Sequence, residues 1–247
     1  MSENIKLGLF LLVAAGIVVW FGNDFLLKFE SVSNSESIGT PQDGQLKNGK
    51  RLPSSGENFE VYSRLGAFIG RTHVHQDVRT AVVEAYGTVF TQMPDVKFVY
   101  GETGWPSGGE FEPHRTHQNG MSVDFMVPVR RSGESVALPH TPLEKWGYGL
   151  EFNDAGRCGE YTIDFDAIGA HLLALDQAAR KQNLKIVKVI FAPELQKELG
   201  KTPSGRKAIK KLKFNSKPAW VRHDDHYHVD FDHLTRGPQP TRPKSDK

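Results

Sequence analysis

Pro113-His114-Arg115-Thr116-His117-Gln118-Asn119-Gly120-Met121-Ser122-Val123-Asp124-Phe125 changes character halfway along. The first half is polar and ends on Asn119-Gly120, a pair suited to tight turns because both residues tolerate unusual backbone angles. The second half alternates as a strand does. Val123 and Phe125 take the core face, and Ser122 and Asp124 point the other way. A turn that carries His117 therefore runs into a strand that carries a carboxylate seven residues later.

A second block, His223-Asp224-Asp225-His226-Tyr227-His228, lies near the C-terminus in a run, 220–231, that reads as the last strand. Here Tyr227, Val229 and Phe231 face the core. His226 and His228 sit side by side on the opposite face, which the alternation predicts to be wet. Between the two blocks, residues 166–183 carry Ile168, Leu172, Leu173, Leu175 and Ala179 at helical spacing. Residues 74–92 do the same, ending before Pro94. Further strands are predicted over 96–100, 121–129, 161–163 and 185–191, and short helices over 193–200 and 203–212. Residues 101–113 form a glycine-rich loop, and 133–159 a long excursion with little periodicity. Helices and strands come in mixed order without regular βαβ alternation, which predicts an α+β fold: an antiparallel sheet core with flanking helices and long loops.

Composition narrows the chemistry. The 247 residues carry a formal net charge of only +2, so bulk nucleic-acid binding and global disorder are not indicated. Cys158 is the single cysteine, which excludes an intramolecular disulfide and a Cys-rich zinc site. A flexible loop around it offers no helix to activate a thiol nucleophile. The basic stretch 201–217 lacks interleaved aromatics and reads as a solvated helix face.

Residues 7–22 are uncharged, sixteen in a row, with Lys6 just before them. A membrane-spanning helix wants about 20 apolar residues, so the run is borderline and needs Ile5 and a snorkelling Lys6. A cleaved signal peptide competes with this reading, but Val13-Ala14-Ala15 as a cleavage site would leave Ile17-Val18-Val19-Trp20-Phe21 apolar beyond it. An uncleaved transmembrane anchor is therefore expected. The resulting organisation is an anchor or signal segment over 1–28, a tether over 29–37, a catalytic domain over 38–233 and a disordered Pro- and Lys-rich tail over 234–247. Residues 30–56, rich in Ser, Gly, Asn and Gln, are expected to be tether followed by irregular surface structure.

Two strands of one sheet would bring His117, Asp124 and His228 together, two nitrogens and one oxygen. Zinc accepts that set and leaves a fourth position for water in catalytic sites. On zinc, the pKa of water falls to about 7, so hydroxide becomes available at neutral pH. His226 is adjacent and free to take a proton or to stabilise an oxyanion. His73 and His75 lack a companion carboxylate and read as solvated or capping residues, while His140, His171 and His233 are isolated.

These residues resemble a known family. Gly108-Gly109, the 113–120 run and Val123-Asp124 look like the central motif of the penicillin-insensitive murein endopeptidases. Lys217-Pro218-Ala219-Trp220, leading into 223–229, looks like the C-terminal motif, and Ser37-Ile38-Gly39 with Arg51-Leu52-Pro53 like the N-terminal region. The His-x6-Asp plus His-x-His pattern is shared with lysostaphin-like and D-Ala-D-Ala metallopeptidases and with Hedgehog domains. The resemblance implies a periplasmic or cell-envelope zinc peptidase that cuts peptidoglycan cross-links without a serine nucleophile, hence without sensitivity to β-lactams. It puts zinc on His117, Asp124 and His228, catalysis on His226 and a further active-site role on His223. His114 matches a histidine of a second metal site whose other ligands are not found in 133–159, so one Zn2+ is expected. Asp230 departs from the family, which has a basic residue there, a change expected to bear on substrate specificity. The alternatives are a D-Ala-D-Ala carboxypeptidase of the same group and a non-catalytic zinc-containing wall-binding module. No nucleic-acid partner is expected.

Overall fold

A computed structural model describes residues 2–139 and 149–235 of the chain. The first element, α1 (Glu3–Leu27), is a long apolar helix that leads into a short hairpin, β1 (Glu36–Gly39) with β2 (Gly44–Lys47). Next come β3 (Lys50–Arg51), β4 (Phe59–Val61), α2 (Arg64–Ile69), β5 (His73–Val74) and α3 (Gln76–Gln92). The strand β6 (Phe98–Tyr100) precedes the glycine-rich loop, and β7 (Ser122–Met126) follows it. A second small sheet uses β8 (Val129–Arg131), β9 (Glu134–Val136), β10 (Arg157–Cys158) and β11 (Tyr161–Ile163). The last elements among the described residues are α4 (Phe165–Lys181), β12 (Leu184–Ile190), α5 (Pro193–Leu199), α6 (Pro203–Lys211) and β13 (His226–His233).

The central sheet has the order β12-β13-β7-β6-β4 and is antiparallel except for its edge pair, where β4 runs parallel to β6. Strands from opposite ends of the chain therefore lie next to each other at its middle. The helix α4 packs between α3 and α6 and also covers β12. Its start is set by Asp164, whose carboxylate accepts from Ala167 N at 3.1 Å, and Arg180 and Lys181 favour its negative C-terminal end. The core face of the sheet carries Val123 and Phe125 from β7 and Tyr227, Val229 and Phe231 from β13, all buried. Each such side chain contributes roughly 1.5–3 kcal/mol of burial free energy. The α+β reading thus holds, and so does the facing predicted for both strands.

Several local expectations are corrected. Residues 30–56 are not irregular throughout, because the β1–β2 hairpin buries Ile38 and Leu46. Gly44 sits against Asn119, so this hairpin covers the turn ahead of β7. The last strand begins at His226, not at 220, and residues 220–225 form a loop whose His223 and Asp225 carbonyls accept from Ala192 N and Val127 N. The face carrying His226, His228 and Asp230 is not wet; all three are buried. Alternation along a strand distinguishes two faces, but it cannot tell a solvated face from one covered by loops. His73 and His75 are also buried, not solvated. His73 lies in β5, and His75 caps α3 by accepting from Asp77 N at 3.2 Å. His233 is not isolated, since its ring meets that of His75 edge-on at 5.4 Å. His140 and the tail from 236 onward lie outside the described residues.

Candidate metal centre

Register builds the site. Pairing of β13 with β7 sets His228 opposite Asp124 and Asp230 opposite Ser122. His228 Nδ1 consequently lies 2.8 Å from Asp124 Oδ1. The loop between β6 and β7 then brings His117 onto the same oxygen, with Nε2 3.3 Å from Oδ1. His117 takes a left-handed backbone conformation, φ 71°, uncommon for a side-chain-bearing residue and a form of strain often found at functional sites. His114, from the same loop, stands with Nδ1 3.5 Å from the second oxygen, Asp124 Oδ2. Among the described residues, the donor atoms of His114, His117 and Asp124 lie within 4.8 Å of one another. The structure therefore groups His114 with Asp124, where the sequence pattern set it apart in a second site.

The hydrogen bonds show what this arrangement can hold. His117 Nδ1 lies 3.1 Å from the carbonyl oxygen of Thr103, and a carbonyl can only accept, so Nδ1 carries the proton. Burial, the largest influence on this ring, holds its pKa below the ordinary histidine value despite Asp124 beside it. Nε2 then presents a lone pair, not a proton, toward the Asp124 carboxylate, and it is a buried atom without a hydrogen-bond partner among the described residues. Two acceptors facing each other across 3.3 Å repel unless a cation lies between them. The donor set of imidazole nitrogen and carboxylate oxygen is that of a divalent transition-metal site. These residues fit a metal ion.

His228 is held from both sides. Its Nε2 lies 2.8 Å from Asp230 Oδ1, and that same oxygen accepts from Ser122 Oγ at 2.6 Å. Burial by itself would lower the His228 pKa, but the Asp230 and Asp124 carboxylates overcome it and raise the value to about 10. Asp124 is held well below the usual carboxylate range; burial opposes this, and the His228 ring, with Nδ1 2.8 Å from Oδ1, is among the groups that overcome it. Asp230 occupies the position where the resemblance called for a basic residue. Its contacts are with His228 and Ser122, inside the candidate centre.

The remaining two histidines differ in their chemistry. His226 Nδ1 is 2.6 Å from Asp225 Oδ1, and this neighbouring carboxylate raises the ring's pKa against the cost of burial. His223 Nδ1 donates to Val221 O at 2.8 Å, and burial followed by the charge of His226 lowers it to about 3. Their ring centroids are 4.5 Å apart, and His223 is 6.5 Å from His228. Sequence reasoning left Glu102, Arg71 and Asp225 without roles. Glu102 Oε2 lies 2.9 Å from His114 Nε2 and accepts from Arg71 Nη2 at 2.7 Å, in a largely buried chain. Its position in a loop without periodicity offered no signal. Asp225 had one: an acid immediately before His226. A cavity of about 760 Å³ beside α1 and α3, lined by Leu27, Val32, Lys50, Gln76 and Arg79 among others, lies away from the centre.

Comparison with known proteins completes the picture. No curated protein gives a significant match to the chain. A family model does, and its alignment covers residues 37–238, which include every residue of the centre just described. The chain belongs to the penicillin-insensitive murein endopeptidases, and is an enzyme that hydrolyses peptidoglycan.

Proposed function

We propose that the chain is a zinc-dependent DD-endopeptidase with one zinc ion on His117, Asp124 and His228, working on wall cross-links while α1 holds it to the cytoplasmic membrane. The observation that carries the metal assignment is the buried Nε2 of His117, a lone pair aimed at a carboxylate with no proton to share. Zinc bound there would polarise the scissile carbonyl and make water nucleophilic at neutral pH.

The other roles belong to this chain's own side chains. Asp225 fixes the tautomer of His226, with its proton on Nδ1 and its lone pair on Nε2. His226 is therefore the general base for the attacking water, and the same carboxylate stabilises the imidazolium that results. That proton is then available to the departing amine. His223 stays neutral, so it does not repel the charge developing on His226; it acts as a hydrogen-bond acceptor that orients water or a substrate N–H. Membrane attachment is supported by α1 itself, a 25-residue helix whose most apolar stretch has no buried residue.

The test is direct. His228→Ala should bind no zinc and should fail to convert cross-linked muropeptide dimers to monomers, as read by chromatography of digested sacculi. Dimer cleavage at the wild-type rate by this variant would sink the assignment, and shortened stems with intact dimers would identify a carboxypeptidase.

A further inference from the structure

The last turns of α1 are bolted to the catalytic domain. Asn23, 1% exposed at the end of an otherwise apolar helix, donates to Leu52 O at 2.9 Å and to Ser54 Oγ at 3.0 Å, and it accepts from Arg51 Nη1 at 3.0 Å. Asp24 accepts from Ser54 N at 2.8 Å. Phe68 of α2 lies so close to Gly22 that a Cβ there would come within 2.5 Å of its ring. Arg64, the first residue of α2, donates to Trp20 O at 3.1 Å and places its guanidinium 3.9 Å from the indole centre.

This docking changes what the helix offers a bilayer. The uncharged run 7–22 rises about 24 Å at 1.5 Å per residue, short of a hydrocarbon core of about 30 Å. Asn23 and Asp24, which would otherwise end it, are turned into the domain. Phe25 and Phe29 meanwhile stay outward at 59% and 70% exposure, so apolar surface continues beyond the polar pair.

At that level α2 adds an apolar face of its own. Leu65 and Ile69 are each 54% exposed and lie four residues apart, hence on one side of the helix. Single exposed apolar residues need no explanation, but this pair lies on a helix that packs against α1, through Arg64 on Trp20 and Phe68 on Gly22. Tryptophan and arginine are the residues that settle at the boundary between lipid tails and headgroups. We propose that α2 is a membrane-docking helix: Leu65 and Ile69 enter the headgroup–acyl boundary of the bilayer that α1 crosses, and the catalytic domain is held against the membrane in one orientation. The occupant of this face is lipid, because α2 packs on α1, a helix long and apolar enough to cross a bilayer, whose most apolar stretch is not buried. This rests on reading α1 as an anchor, and the experiment separates the two.

Full-length protein lacking its native thiol (Cys158→Ser) is reconstituted in vesicles of phosphatidylcholine with a minority of phosphatidylglycerol. Nitroxide labels are placed at Leu65→Cys or Ile69→Cys, at Val13→Cys within α1 and at Lys207→Cys on the exposed side of α6. Collision rates with oxygen, which concentrates in lipid, are compared with those of a water-soluble nickel chelate. Labels at 65 and 69 should favour oxygen, less strongly than the label at 13, and the label at 207 should favour nickel. A lipid-buried label at 13 with nickel-accessible labels at 65 and 69 overturns the docking and leaves the anchor. Low collision rates with both reagents at 65 and 69 mean a protein covers the face, and also overturn it. A nickel-accessible label at 13 removes the anchor and the docking together.

Discussion

Asp230→Asn separates the two parts Asp230 plays at the metal centre. Its Oδ1 takes a hydrogen bond from Ser122 Oγ at 2.6 Å and another from His228 Nε2 at 2.8 Å, and the residue is buried. With a metal bound as proposed, Asp230 would hold the His228 proton on Nε2 and leave the Nδ1 lone pair for the ion, and its negative charge would strengthen that nitrogen as a ligand. Asparagine keeps an acceptor of nearly the same shape and removes the charge. Loss of such an outer carboxylate weakens metal binding by roughly 10- to 100-fold, about 1.4–2.7 kcal/mol. Asp230→Ala goes further, leaving the Ser122 hydroxyl and the His228 N–H buried without a partner, at about 1–3 kcal/mol of folding stability for each. Zinc affinity measured by competition with a chromophoric chelator, alongside denaturant unfolding of the metal-free protein, resolves the effects. The asparagine variant should lose affinity and keep most of its stability; the alanine variant should lose both. An asparagine variant that binds zinc as tightly as the wild type would refute the coupling of Asp230 to the metal.

Two further predictions concern the frame around the centre. His171 is buried against Tyr86 and Phe125 with the Tyr227 hydroxyl 2.7 Å from its Nδ1, and burial lowers its pKa to about 3. The unfolded chain takes up that proton below about pH 6.5 and the folded one does not, so the contribution is complete above pH 6.5 and is lost as pH falls toward 3, at up to about 1.4 kcal/mol per pH unit. His171→Phe should flatten the stability profile below pH 6.5 by that slope, and parallel profiles for the two proteins would contradict the assignment. Gly104 has φ 146°, and a Cβ on it would lie 2.6 Å from the carbonyl oxygen of His117. Gly104→Ala should therefore cost about 1–3 kcal/mol in stability and weaken zinc binding, both visible in thermal melts with and without zinc; unchanged melts would show that the His117 loop is not constrained there.

Much of the site was legible because strands have a period of two. Parity alone set His226 and His228 on one face and Val123 and Phe125 on the other, whatever the sheet turned out to be. The spacing of apolar residues likewise marked α3 and α4 to within two residues at each end. The β1–β2 hairpin left no such trace, since four-residue strands of Glu-Ser-Ile-Gly and Gly-Gln-Leu-Lys are too short and too polar to show a period.

The sequence by itself determined the chemistry on offer: histidines and carboxylates in two blocks, one cysteine, an apolar N-terminal helix, and the residues that share a strand face. Only the tertiary structure decided how those groups meet. Pairing of β7 with β13 put His228 on Asp124 and Asp230 behind His228, and the loops over that face turned an apparently solvated row into a buried one. The reason is one of range. Side-chain direction along a strand follows from local backbone geometry, whereas the register between strands 104 residues apart, and the course of loops packed across them, are set by the packing of the whole domain.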